Sequence, residues 1–136
     1  MGLFNFFKRD TDKRTVSNSI GEFRFSKERG MKIYKGKINS KIGNDIEVKL
    51  EATDNGVSEW QVEYFKQIEN NWESILQQFS TKKPDKDFKA YKPVVIFIPE
   101  KGKDDYDAEI VILRGESKEE DIFSLILVGL NIDEVI

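Results

Sequence analysis

Four carboxylates crowd one short stretch, Asp104, Asp105, Asp107 and Glu109, and oxygen ligands at that density are what a calcium ion takes. A calcium-binding loop of the helix-loop-helix kind needs a glycine at its sixth position and a bidentate glutamate at its twelfth. Counted from Asp105, those positions hold Ile110 and Glu116, so the glutamate is present and the turn residue is not. Asp107 and Glu109 also fall in an expected strand, whose extended backbone could not wrap an ion. The stretch reads as a solvated loop leading into a strand, with no metal.

Paired acids could also serve glycoside cleavage, one as acid and one as base or nucleophile, if a cleft held them at a set separation with divided pKa values. With 25 acidic residues in the chain, pairs arise by chance. Other chemistries are excluded more firmly. There is no cysteine and no histidine, which removes thiol nucleophiles, disulfides, thiolate or imidazole zinc sites and every Ser-His-Asp or Cys-His arrangement. No glycine stands at Walker spacing before Gly36-Lys37 or Gly102-Lys103, and neither a GxGxxG fingerprint nor a GxSxG elbow occurs. A protein without catalysis and without a cofactor is expected, with a carboxylate-dependent hydrolase as the last alternative.

The elements that would position these residues follow from periodicity. The chain has 136 residues, enough for one domain with a hydrophobic core. Ten Phe, fifteen Ile, nine Val and seven Leu make up 41 of them, so the chain should fold. "GEFRFS", "MKIYKGKI" and "NDIEVKLEA" alternate as strands, the last most cleanly, with Ile46, Val48 and Leu50 set against Glu47, Lys49 and Glu51. In residues 58–81 the period changes. Trp60, Tyr64, Phe65, Ile68, Trp72, Ile75, Leu76 and Phe79 fall within an arc of roughly 160° at 100° per residue. Ser58 and Gln61 have capping-box spacing, and Pro84 closes the segment. The aromatic face of this helix is expected to be core rather than an exposed platform. "PVVIFIP", with five consecutive apolar residues between prolines, reads as a strand covered on both faces. "YDAEIVIL", "IFSLILVGL" and "IDEVI" complete the set.

The expected fold is therefore α+β: an antiparallel sheet of six to seven strands packed on one long amphipathic helix, in the order βββ-α-βββ(β). Residues 1–19 are read as an apolar N-terminal segment and polar tether, and residues 20–136 as a single domain.

Charge is distributed unevenly. Residues 1–37 hold ten Lys/Arg and four Asp/Glu, net +6, while residues 100–136 hold four and eleven, net −7. Such asymmetry points to an interaction surface. The acids fall into two groups, Asp104, Asp105, Asp107 and Glu109, then Glu116, Glu119, Glu120 and Asp121. A surface of this sign would attract a protein partner with a basic surface and repel nucleic acid. The bland alternative is a solvated rim that keeps two very hydrophobic strands from aggregating.

The opening "MGLFNFFKRD" can form a short amphipathic turn, with Leu3, Phe4, Phe6 and Phe7 on one side and Lys8 and Arg9 flanking. It is no myristoylation signal, because position 6 is Phe, and its apolar run is too short for a secretory signal. The chain is expected to be cytoplasmic. The segment is read as a plug that docks on its own domain or on a second subunit in a homodimer, with membrane contact through residues 1–14 as the alternative.

Gly21-x-Phe23, Tyr34-x-Gly36-x-Ile38, Ile46-x-Val48-x-Leu50 and the helix ending "NNWESILQQF" resemble a group of small bacterial domains, several of which look like immunity proteins of polymorphic toxins. The likeness covers residues 20–80 and rests on turn glycines and core positions. It implies a binding role, an inhibitor that occludes a basic partner with an acidic surface, and it supplies no catalytic residues.

Overall fold

The computed structural model describes residues 14–115 and 121–136. Among these residues eight strands form one sheet in sequential order: β1 (Thr15–Asn18), β2 (Gly21–Glu28), β3 (Met31–Ser40), β4 (Gly43–Glu51), β5 (Tyr91–Ile98), β6 (Ala108–Arg114), β7 (Ile122–Val128) and β8 (Asn131–Val135). Between β4 and β5 lie two helices, α1 (Glu59–Asn70) and α2 (Trp72–Lys82), and a 3-10 turn at Phe88–Ala90. Neighbouring strands are antiparallel except β4 and β5, which are parallel. The sheet is thus two antiparallel meanders of four strands joined by a parallel pair.

This corrects the expected fold in three respects: the sheet is mixed, it has eight strands, and two short helices replace the single long one. The physical reasons are local. One continuous helix from Glu59 to Lys82 would be about 36 Å long, beyond the roughly 30 Å of a nine-residue strand such as β4. The chain breaks instead at Asn71 (φ −116°, ψ 17°), whose side-chain Nδ2 donates to the Gln67 carbonyl at 2.8 Å. Asn competes in this way for helix backbone groups and weakens a helix interior. The apolar period runs unbroken through the break, so only the pair Asn70-Asn71 marked it.

The helical excursion also sets strand direction. The first turn of α1 is bonded to the ends of β4 and β5, where Gln61 Nε2 donates to the carbonyls of Glu51 and Ile98. Its last turn reaches the β3–β4 turn, where Ser40 Oγ donates to Glu69 and Lys41 Nζ donates to Asn70 Oδ1. The helix therefore carries the chain back to the end where β4 began, and β5 sets off parallel to it. Parallel pairing requires such a crossover.

The eighth strand comes from residues assigned to the polar tether. Thr15–Asn18 pair with Arg24–Gly21, and the Arg14 guanidinium lies 4.0 Å over the Phe25 ring. A short polar strand suits the edge of a sheet, where a long apolar one would invite aggregation.

The core lies between the helices and one face of the sheet. Phe65, Ile68, Ile75 and Phe79 from the helices meet Val48, Leu50, Ile96, Ile110 and Leu125, all fully buried. Each such side chain contributes about 2 kcal/mol by leaving water. Trp72 is buried with them, and Trp60 lies at the margin, stacked on Tyr64 at 5.0 Å. Gly36 is required where β3 passes β2, because a Cβ there would lie 2.4 Å from the Glu22 carbonyl oxygen.

Candidate binding face

Strand alternation places the second face of the sheet away from both helices. Pairing of Lys49 with Phe97, and of Phe97 with Glu109, puts these three side chains in one row. Val95 and Val111 make the next row. Phe97, Val95 and Val111 are all half-buried, so of the five apolar residues between the prolines of "PVVIFIP" only Ile96 and Ile98 are fully covered. The run is apolar on both sides because one side faces the core and the other lines a groove.

That groove has a volume of about 510 Å³ and extends from the β2–β3 turn to β6. Met31, Ile33, Val95, Phe97 and Val111 form its apolar lining, with Glu28, Arg29, Lys49, Tyr106 and Glu109 at the sides. The size is within the range of ligand-binding clefts. Its polar edge is organised by Glu28, whose carboxylate accepts from Lys35 Nζ at 2.5 Å and from Lys49 Nζ at 2.9 Å, bridging β2, β3 and β4. These two hydrogen bonds hold the Glu28 carboxyl below its usual range, and the bond to Glu28 raises the Lys35 ammonium. Burial pushes the Tyr106 phenol up, with the carboxylates of Asp104, Glu109, Glu51 and Asp105 adding to it. Tyr106 is therefore a neutral hydrogen-bonding group at ordinary pH.

The acidic residues singled out from the sequence separate into different roles. Asp104 and Asp105 are exposed on the β5–β6 loop, where their charge acts on Tyr106 of the groove lining, and Glu109 is one of the groove's side walls. Asp107 is occupied: its Oδ2 accepts the Gly129 N–H at 2.7 Å while its own N–H donates to the Leu127 carbonyl at 2.8 Å. It holds the β7–β8 turn. Asp121 precedes β7, at the opposite end of the β6–β7 ladder that runs from Ala108–Leu127 to Leu113–Ile122, about 20 Å away. Among the described members, Asp121 therefore does not share a surface with Asp104, Asp105 and Glu109. Glu116, Glu119 and Glu120 lie outside the described residues, as do Leu3, Phe4, Phe6, Phe7, Lys8 and Arg9.

A buried carboxylate supports the loop. Glu51 is 3% exposed, accepts from the Glu100 N–H at 2.9 Å and from Lys103 Nζ at 2.5 Å, and thereby ties the start of the β5–β6 loop to the end of β4. The Glu51 bond raises the Lys103 ammonium. Among the described residues no group of three or more carboxylates is placed to hold a metal ion, and no helix is long and apolar enough to cross a membrane.

Sequence reasoning missed the groove residues Met31, Lys49, Val95, Phe97 and Val111. The signal available for them was the unbroken apolar run of β5, read as a doubly covered strand. Compared with known proteins, the chain matches no family model, no curated protein and no solved structure.

Proposed function

We propose that this protein is a non-catalytic protein-binding domain of the immunity-inhibitor type, which occludes a basic partner with the groove on the open face of the sheet. The observation that carries this reading is the apolar floor of Val95, Phe97 and Val111 beside an acidic loop, with Glu109 joining the two. The stretch from Glu100 through the β5–β6 loop to Glu109 at the start of β6 holds five carboxylates against Lys101 and Lys103, and Lys103 is paired with Glu51. An apolar centre with a charged rim is the common anatomy of a protein interface. The charged rim speeds encounter with a basic partner and makes it sensitive to salt.

The test is affinity capture from the source cell with the full chain, followed by titration of the purified captured protein. The expected partner is basic and binds one to one. Its affinity falls at least tenfold for Phe97→Asp, and falls with added salt for the wild type more steeply than for Asp104→Lys/Asp105→Lys. A partner that ignores both variants overturns the reading.

A further inference from the structure

The chain carries, in residues 3–7, apolar side chains whose chemistry suits the groove. From the exit of β1, the reach of the preceding residues and the apolar floor of the groove, we infer that the N-terminal segment, residues 1–13, docks in cis on the open sheet face. Leu3, Phe4, Phe6 and Phe7 then lie over Val95, Phe97 and Val111. The inference concerns regulation of the same groove and rests on reading it as a binding surface.

Three observations support it. The first is the level and direction of β1. The Arg14 carbonyl accepts the Phe25 N–H at 2.9 Å, and Phe25 shares a row with Tyr34, Leu50 and Ile98. Arg14 is thus level with the residue that follows Phe97. Because β1 is antiparallel to β2, it aims the chain preceding Arg14 toward the Glu28–Met31 turn, which forms one end of the groove.

The second is reach. Strand β5 lies four spacings from β1, about 19 Å. Phe7 stands seven residues before Arg14 and Phe4 ten, giving extended spans of about 23–25 Å and 33–36 Å. Both cover the distance.

The third is chemistry. Four apolar side chains within residues 3–7 match a floor whose exposed edge includes Met31, 38% accessible. Lys8, Arg9 and Lys13 follow them, and Glu109, Asp104 and Asp105 have no ion pair among the described residues. A partner that needs the groove must then displace the segment, which lowers its apparent affinity by the fraction of chains left open.

Because the chain has no cysteine, Gly2→Cys in the full-length protein takes a single nitroxide label. With the chain labelled in ¹⁵N, docking in cis at least halves the amide intensities of Val95, Phe97, Glu109 and Val111 relative to the reduced label, and spares α1 and α2. Adding Phe4→Ser, Phe6→Ser and Phe7→Ser to the labelled chain restores them. An equimolar mixture of spin-labelled unenriched chain and unlabelled ¹⁵N chain shows no loss. Loss confined to residues around β1, or loss elsewhere on the domain, overturns the inference. Loss in the mixture overturns it in favour of a second copy. No partner is present in this experiment, so its failure is distinct from failure of the capture test.

Discussion

Gln61 Nε2 donates to the carbonyl of Glu51 at 2.9 Å, and this fastens the first turn of α1 to the end of β4. The same nitrogen donates to Ile98 at 3.1 Å on the parallel neighbour, while Oε1 accepts the Ser58 N–H at 2.9 Å. One fully buried carboxamide therefore closes a helix cap and joins two strands. Gln61→Leu leaves two strand carbonyls and a cap N–H without their partner. Each lost buried partner costs about 1–3 kcal/mol, partly recovered by the apolar side chain. A net loss of about 2–4 kcal/mol is expected, read as a lower urea midpoint with an unchanged slope.

Asp107 and Tyr64 act on one turn residue. The Gly129 N–H donates to Asp107 and the Tyr64 hydroxyl donates to the Gly129 carbonyl, so the residue before β6, the β7–β8 turn and α1 meet at a single glycine. Asp107→Ala is expected to cost about 1–2 kcal/mol and Tyr64→Phe about 1 kcal/mol, with a double-mutant coupling of at least 0.5 kcal/mol. Asp104→Lys and Asp105→Lys should each stay within about 0.5 kcal/mol of wild type. Equal effects at all three acidic positions would contradict the separation of roles.

Glu28 gives the molecule a pH signature. Its folded pKa is depressed by the bonds from Lys35 and Lys49, so its contribution is present above the unfolded value near 4.5 and is lost as pH falls through the lower folded value. Lys35 is raised, so its share is present below 10.5 and is lost as pH rises through the higher folded value. The stability difference between wild type and Glu28→Gln should be flat from about pH 5 to 10 and shrink on either side. Both partners are partly solvated, so the plateau is small and falls further in 1 M salt. Chemical denaturation across the pH range checks it.

Tyr91 is 2% exposed, packs edge-on against Phe79 at 5.1 Å, and its hydroxyl has no hydrogen-bond partner among the described residues. A buried hydroxyl without a partner is a cost that phenylalanine does not carry. Tyr91→Phe is expected to raise stability by about 1 kcal/mol, seen as a higher melting temperature. A drop of similar size would show that the hydroxyl is bonded in solution.

What the sequence determined by itself was largely local. The alternation in Ile46–Leu50, the capping pair Ser58 and Gln61, and the buried faces of Tyr64, Phe65, Ile75 and Phe79 were all legible, because they depend on spacing along one element. Strand direction and the second face of the sheet were decided only by the tertiary structure. The turn of the chain at Asn71 and the run of α1 back along β4 make β5 parallel, and no periodicity in either strand encodes that. The groove likewise exists because register aligns Lys49, Phe97 and Glu109 from three strands. The two acidic groups stand close along the chain, yet the β6–β7 ladder holds Asp121, the described member of the second, at the far end from Asp104, Asp105 and Asp107. Sequence proximity sets which charges are neighbours in a loop, and strand length sets how far apart the loops finish.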